Sequence, residues 1–381
     1  MAAELAPTSF EDTAAALAAA AAESRSVRIV GGATKLGWGA VPQEPDVILS
    51  TAGLDQIVEH NEGDLTAVLE SGVPLARAQA TFAKSGQMLA LDPPLGLRGR
   101  SDATIGGVLA SGDSGPLRHR YGAGRDLVLG MTVALSDGTV ARSGGKVIKN
   151  VAGYDIGKLF CGSFGTLGVI LSVSLRLHPI PVEIVSVLGA ASDPELIARA
   201  GERLAAAPLE LEALDVAWRA GRGGLLAQVG GAEATRRAER VAGLMREAEL
   251  EDVEVSADDE RLWARQRAGQ RSDGRALVRV AAPPSSLPAV LRAADACGGT
   301  LVGRAAFGLS FIEVEPEAAQ TLRERLPPGA VAVLLDAPGE LRDAIDPWGL
   351  DQGPALELMR RVKQRFDPAR ACNPGLFVGG I

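Results

Sequence analysis

Glycine is concentrated in one short stretch of this chain, S-D-A-T-I-G-G-V-L-A-S-G-D-S-G-P-L-R-H-R-Y-G-A-G, which runs from Ser101 to Gly124. Glycine loses more backbone entropy on ordering than any other residue, so an isolated helix or strand gains nothing from such a run. Small residues let backbone N–H groups approach a ligand, which is the usual reason for glycine at phosphate sites. Thr104 is placed to cap a short helical turn over 105–111. A surface loop built from turn residues is the alternative, and this stretch alone does not exclude it.

A second glycine-rich stretch, Gly31–Gly39, follows the predicted buried strand Val27–Val30. A Rossmann fold needs a helix to begin at such a loop. A proline-containing segment and another predicted strand, Val47–Ser50, follow instead, so the loop joins strand to strand. Its successive amides can form an anion-binding concavity, to which Lys35 adds a positive charge. We therefore predict a diphosphate at this loop.

The charge balance and the cysteines exclude several classes of protein. A net charge of -8 argues against a nucleic acid or an anionic membrane surface as partner. Cys161, Cys297 and Cys372 are far apart in the chain, so they form no zinc or iron–sulfur motif and indicate a reducing compartment. The apolar segment 14–22 is flanked by acidic residues and is too short to span a bilayer. We expect a cytoplasmic protein whose membrane contact, if it has any, is made at the inner membrane through partner subunits.

The order of predicted elements indicates an α+β fold with two domains and a tail. Residues 1–180 combine short strands, few helices and three glycine-rich blocks, the third at 144–170. In residues 181–345 strands and helices alternate regularly, which indicates two β-α-β-type halves on one antiparallel sheet of ferredoxin-like character. Residues 346–381 contain a predicted helix and then D-P-A-R-A-C-N-P-G. We predict that this tail packs back on the first domain.

Together these motifs resemble the FAD-binding oxidoreductases of the vanillyl-alcohol oxidase (PCMH) type, and within them the FAD-binding E subunits of bacterial glycolate oxidase (glycolate dehydrogenase). The resemblance covers essentially residues 10–180 and the tail, and the order and spacing of six motifs carry it. These motifs are Gly31-Gly32-Ala33-Thr34-Lys35-Leu36, Ser85-Gly86-Gln87-Met88-Leu89, Gly106-Gly107, Arg125-Asp126 with Val128-Leu129-Gly130, Lys149-Asn150-Val151-Ala152-Gly153-Tyr154-Asp155, and Gly162–Gly168.

The resemblance implies a PCMH-type FAD-binding domain followed by a cap domain that binds substrate or forms an interface. Covalent flavin in this family needs a His or Cys at particular loop positions, and Gly31–Gly39 contains neither, so we expect non-covalent FAD. The implied cofactor-binding residues are Gly31, Gly32, Ala33, Thr34, Lys35, Leu36, Pro93, Pro94, Leu95, Thr104, Ile105, Gly106, Gly107, Ser111, Gly112, Ser114, Gly115, Pro116, Thr166, Leu167, Gly168, Val169, Ile170 and Asn373.

The function that the resemblance implies is oxidation of a small 2-hydroxy acid, glycolate to glyoxylate, with electrons passed to a partner. The implied partners are a homologous flavoprotein subunit and an iron–sulfur subunit, since this chain has no cysteine cluster. Two alternatives stay open. The first is an accessory flavoprotein whose FAD is structural or relays electrons, and the second is a stand-alone FAD-dependent alcohol or sugar oxidase.

The catalytic residues are harder to assign than the cofactor loops. Related 2-hydroxy acid dehydrogenases hold a metal on a histidine pair in their second domain, but residues 181–345 contain no histidine, so we predict no metal site. His119, Arg118 and Tyr154 are weak catalytic candidates. Arg304 is one of several arginines that can bind a carboxylate.

Overall fold

The computed structural model describes residues 2–95, 103–146, 155–257, 259–350 and 353–381. They form two compact units. The first unit comprises Met1–Ser114, Gly122–Ile180 and Leu350–Ile381, and the second comprises Gly115–Tyr121 and Pro181–Gly349. The segment Gly115–Tyr121 therefore belongs to the second unit and brings His119 into it, although the sequence places this segment well inside the first predicted domain.

Three β-sheets make up the framework of the first unit within the described residues. A parallel sheet has the strand order Ala3–Leu5, Val47–Ser50, Val27–Val30. An antiparallel sheet has the order Ile57–Asn61, Thr66–Glu70, Val169–Arg176, Val128–Ala134, Val140–Gly144. A short antiparallel pair joins His178–Pro179 to Gln87–Met88. The helices of this unit are Phe10–Ala22, Leu75–Ala83, Ile105–Ser111, Gly124–Leu127, Gly157–Phe160 and Pro354–Phe366, with a 3-10 turn at Val378–Gly380.

The first helix runs from Phe10 to Ala22. Thr8 has the spacing of a capping residue, but Ser9 is the N-cap, and its hydroxyl accepts a hydrogen bond from the Asp12 amide at 3.0 Å. Leu17 of this helix packs in a buried cluster with Val27, Val169 and Cys372. Because Cys372 comes from the C-terminal segment, the tail contributes to the core of the first unit, as predicted.

The glycine-rich loop after Val27–Val30 joins two strands of the parallel sheet. Val27–Val30 pairs in parallel with Val47–Ser50, and no helix begins between these two strands, all of whose linking residues are described. The strand-to-strand connection predicted from the sequence is therefore confirmed. Helical hydrogen bonds therefore use none of the amides of this loop.

The second unit is one continuous antiparallel sheet of eight strands, counted over the described residues. Their order is Glu251–Ser256, Ile184–Ala191, Arg222–Gly230, Leu211–Arg219, Thr300–Arg304, Leu309–Val314, Ala276–Ala281, Val331–Asp336. Each half repeats a strand-helix-strand-strand-helix-strand order, so the predicted ferredoxin-like halves are confirmed. The helices are Arg118–Tyr121, Pro194–Ala206, Ala234–Glu247, Glu260–Ala268, Leu287–Ala296, Ala319–Arg325 and Gly339–Ala344, with 3-10 turns at Pro284–Ser286 and Pro316–Ala318.

The strand Glu251–Ser256 was not predicted. It lies at the edge of the sheet, and its sequence E-D-V-E-V-S offers only two apolar residues. Charged side chains on an edge strand discourage pairing with other chains. Because of the same charged residues, the segment lacks the apolar pattern from which a strand is predicted. Across the described ranges, no helix combines the length and the apolar character needed to cross a bilayer.

Candidate flavin site

Glycine-rich segments of the first unit line two small adjoining cavities of about 100 Å³ and 60 Å³. We call these segments the walls of the site. Both are lined by Gly31 from the loop after Val27–Val30, by Gly107 from the helix Ile105–Ser111 and by Asn373 from the tail. The full lining of the two cavities is Arg28, Ile29, Val30, Gly31, Gly32, Ala33, Thr34, Lys35, Leu36, Trp38, Thr51, Ser71, Thr104, Gly106, Gly107, Ala110, Ser111, Phe164, Gly165, Gly168, Ile170, Asn373 and Leu376.

The loop Gly31–Leu36 lines the larger cavity. Within the part of the chain that the structure describes, the amides of Gly32, Ala33, Thr34 and Leu36 donate no hydrogen bond to another residue. Ala33 has a φ of 55°, in the left-handed region that turns successive amides toward a common point. An array of unpaired amides of this kind fits the diphosphate of a dinucleotide cofactor.

Two glycines in these walls are required by close packing. A Cβ added to Gly31 would lie 2.3 Å from Oγ1 of Thr104, the hydroxyl that caps the helix Ile105–Ser111 by accepting from Gly107 N at 3.3 Å. A Cβ on Gly106 would lie 2.6 Å from Cβ of Ser71. These glycines therefore let the walls of the site approach one another.

Asn373 ties three segments together at the junction of both cavities. Its side-chain oxygen accepts a hydrogen bond from Ile29 N at 2.9 Å, and its side-chain nitrogen donates to Phe164 O at 2.7 Å. The residue has a φ of 40°, which asparagine tolerates better than most side chains. Its position in both linings supports the prediction that Asn373 closes the cofactor site from the tail.

Lys35 forms an ion pair with a carboxylate of the same chain. Lys35 Nζ lies 3.2 Å from Oδ2 of Asp113, and their side chains are only 8% and 1% exposed. Arg28, which the sequence reasoning missed, also lines the larger cavity and has no ion-pair partner among the described residues. Burial lowers the pKa of Arg28, and Glu44 raises it in opposition. Arg28 is thus the less neutralised of the two cations in this wall.

We expect Lys35→Met to raise the dissociation constant of FAD about tenfold, because the buried Asp113 carboxylate loses the ammonium that lies against it. Adding Asp113→Asn should recover most of the lost affinity, since the pair then carries no net charge. Equilibrium titration of the apoprotein with FAD measures both values. A double variant as weak as Lys35→Met would show instead that the ammonium acts directly on the cofactor.

Several predicted cofactor residues do not line these two cavities. Ile105 and Val169 are buried in the core, and the Thr166 carbonyl accepts a hydrogen bond from Lys363. Gly115 and Pro116 belong to the second unit. The remaining predicted residues outside the two linings are Pro93, Pro94, Leu95, Gly112, Ser114 and Leu167.

The catalytic candidates lie in the second unit or outside the described residues. Arg118 and His119 are in the helix Arg118–Tyr121, and the His119 ring packs edge-on against Phe307 with the ring centroids 5.7 Å apart. His119 Nδ1 is buried and has no hydrogen-bond partner in the described ranges, and burial lowers the pKa of His119. Tyr154 lies outside the described residues.

Arg304, considered above for a carboxylate, is already paired. Its Nη1 donates to Asp215 Oδ2 at 2.5 Å, its Nε donates to Gly115 O at 3.0 Å, and the side chains of both Arg304 and Asp215 are fully buried. Over the described residues, no group of three or more His, Cys, Asp and Glu side chains is placed to hold a metal ion.

Comparison with known families locates the similarity in the first unit and the tail. A family model described as an FAD binding domain matches residues 1–144, and one described as the C-terminal domain of FAD linked oxidases matches residues 350–376. The glycolate oxidase subunit GlcE of Escherichia coli is 40% identical over 125 residues, covering 33% of this chain and 35% of that protein. The glycolate oxidase subunit GlcD of Bacillus subtilis is 34% identical over 188 residues, covering 49% of this chain and 39% of that protein. The chain thus spans well under half of either subunit.

Two further comparisons extend over nearly the whole chain. The uncharacterized FAD-linked oxidoreductase Rv2280 of Mycobacterium tuberculosis is 25% identical, covering 98% of this chain and 90% of that protein. Among solved structures, an alkyldihydroxyacetonephosphate synthase superposes with a TM-score of 0.70 at 14% identity, covering 97% of this chain and 76% of that one. At this identity the likeness concerns the fold alone, and it confirms the predicted α+β architecture.

Proposed function

We propose, from the match of residues 1–144 to an FAD binding domain, that this chain is the FAD-binding subunit of a glycolate oxidase-like complex. The proposed reaction is oxidation of a small 2-hydroxy acid, glycolate to glyoxylate, with electrons passed to a partner. The observation that carries the proposal is the cavity lined by Gly32, Ala33, Thr34 and Leu36, whose amides donate no hydrogen bond to another described residue. Thr104, Gly107 and Asn373 line the same cavity. The similarity to two glycolate oxidase subunits supports the choice of substrate class.

The described residues suit the role of holding FAD without a covalent bond. The amides of Gly32, Ala33 and Thr34 are free to donate to the diphosphate, and Arg28 in the same wall offers a positive charge. Bound FAD supplies the ability to accept a hydride from an alcohol carbon and to release the electrons to another carrier. A side chain at Gly31 or Gly106 would clash with Thr104 or Ser71, so both glycines keep the walls of the site close together.

We infer that the chain works with partners. With the cysteines at 161, 297 and 372 too scattered for an iron–sulfur motif, the electron relay belongs to an iron–sulfur subunit, and a homologous flavoprotein subunit completes the complex. The proposed location is cytoplasmic, with any membrane contact made through those subunits.

Purification of the tagged chain from its own cells tests this proposal. We expect a second flavoprotein and an iron–sulfur protein to co-purify with it. We also expect the complex to reduce an artificial electron acceptor when glycolate is the electron donor. We also expect denaturation to release all the FAD, because the flavin is not covalently bound. A chain that purifies alone and oxidises an alcohol or a sugar would instead be a stand-alone oxidase, and the proposal would be wrong.

One observation favours a second candidate, an accessory flavoprotein whose FAD is structural or relays electrons. Arg304 is neutralised by Asp215, and the described part of the second unit brings together no metal-binding group of side chains. Anaerobic addition of glycolate or D-lactate to the isolated holoprotein separates the two candidates. Bleaching of the oxidised flavin band by either acid would exclude the accessory role.

A further inference from the structure

A buried lysine on the C-terminal helix connects the tail to the segment that contains Thr166. Lys363 lies near the end of Pro354–Phe366, and only 5% of its side chain is exposed. Its ammonium donates to Thr166 O at 2.7 Å, to Asp367 Oδ2 at 2.6 Å and to Cys372 O at 2.9 Å. All three N–H donors of the lysine are therefore used, which is what a buried ammonium requires.

The acid that pairs with Lys363 is equally well satisfied. Asp367 is fully buried, and its carboxylate also accepts from Cys372 N at 2.9 Å and from Ala371 N at 3.1 Å. The ion pair thus fixes the backbone of 371–372 through contacts to both its N–H and C=O groups. Buried pairs with complete hydrogen bonding hold their surroundings in one arrangement, while adding little net stability.

The segments that this pair holds are two walls of the flavin site. Val27 N donates to Ala371 O at 2.7 Å, and Asn373 N donates to Val27 O at 2.9 Å, so the tail runs beside the strand that leads into the diphosphate loop. Thr166, whose carbonyl accepts from Lys363, is two residues after Phe164, whose carbonyl accepts from the Asn373 side chain. The ammonium therefore bridges the same two segments that Asn373 bridges inside the site.

We propose that the Lys363–Asp367 pair is a positioning device for the FAD site, which sets the placement of Asn373 against the loop 164–168. Neither Lys363 nor Asp367 lines the two cavities, so neither is proposed to touch the cofactor. Their effect on FAD affinity passes through Cys372 and Thr166. The inference rests on the proposed FAD site and adds to it the residues that hold its tail wall in place.

FAD titration of full-length variants separates positioning from mere stabilisation. We expect Lys363→Met to weaken FAD binding about tenfold, because the tail and the loop lose their shared donor. The matched control Arg361→Met removes a cation from an exposed position of the same helix and should change affinity less than about twofold. Adding Asp367→Asn to Lys363→Met removes the orphaned buried charge, so the unfolding midpoint should recover while FAD affinity stays low.

Wild-type FAD affinity in Lys363→Met, measured on folded protein, would overturn the inference. Affinity that recovers together with the unfolding midpoint in Lys363→Met with Asp367→Asn would also overturn it, because the pair would then act through stability alone. Gly32→Asp serves as the reference for the site itself. If Gly32→Asp loses FAD and Lys363→Met does not, the site is correct and the positioning role is wrong, and if neither loses FAD, the placement of the site is wrong.

Discussion

Gly32→Asp should weaken FAD binding by at least about 100-fold, so that the variant purifies almost free of flavin. Gly32 lines the larger cavity, and its amide donates no hydrogen bond to another described residue. A carboxylate at this position would stand next to the diphosphate, where two like charges a few ångströms apart repel by several kcal/mol at the effective dielectric of a partly buried site. The added side chain would also hinder the close approach of phosphate oxygens to the neighbouring amides.

Gly32→Asn separates the charge effect from the steric effect. Asparagine has nearly the size of aspartate without its charge, so we expect this variant to bind FAD more weakly than the wild type and distinctly better than Gly32→Asp. Flavin absorbance of the purified proteins and FAD titration of the apoproteins give both values. Full flavin content in Gly32→Asp would show that the diphosphate lies elsewhere. The second unit should stay folded in both variants, because Gly32 belongs to the first unit.

Local sequence chemistry predicted the segments that line the proposed flavin site. A strand followed by glycines, a proline-containing segment and another strand predicted the strand-to-strand loop at which we propose the diphosphate. Thr104 before a short apolar run predicted the capped helix Ile105–Ser111. Both features depend on neighbours within a few residues, so they can be recognised in one sequence. Gly31 shows the limit of this approach, since the clash that excludes a side chain comes from Thr104, far along the chain.

Pairings between distant residues could not be predicted. Lys35 lines the larger cavity, but its ion pair with Asp113, in another glycine-rich stretch, could not be predicted. The segment Gly115–Tyr121 was assigned to the flavin domain, but it belongs to the second unit, where Arg304 donates to Gly115 O and the Tyr121 hydroxyl donates to Glu212. Such contacts depend on strand register and chain path, which periodicity in one sequence does not specify.

Arg304→Met should destabilise the second unit by about 3–5 kcal/mol at pH 8, because it leaves Asp215 as an unpaired buried carboxylate. The two residues lie directly opposite each other on the central strands Leu211–Arg219 and Thr300–Arg304. Burial raises the pKa of Asp215 to about 6, while the Arg304 guanidinium acts to lower it. Without that guanidinium, the pKa of Asp215 should rise further, and the carboxyl should become neutral in the folded variant near neutral pH.

The sign of the pH dependence follows from that shift. A carboxyl whose folded-state pKa lies above its unfolded value of about 3.8 favours the folded state at low pH, and this contribution is lost as pH rises through the folded pKa. In the wild type the loss falls between about pH 4 and pH 6. In Arg304→Met it should extend toward neutral pH, so the variant should be closer to the wild type in stability at pH 5 than at pH 8. Denaturant unfolding at both pH values measures the difference.

A double variant shows whether the Arg304–Asp215 pair adds net stability to the second unit or whether each charge only compensates the burial of the other. Arg304→Met with Asp215→Leu replaces both buried charges with apolar side chains, a change that is often neutral, so most of the stability should return. The part of the pH dependence that comes from Asp215 should disappear. FAD affinity should stay at the wild-type value throughout, because the residues that line the two cavities belong to the first unit. If the complex with the double variant still oxidises glycolate, the role of Arg304 is structural and the residue does not bind the substrate. Loss of glycolate binding with stability restored would instead assign the Arg304 guanidinium to the substrate carboxylate.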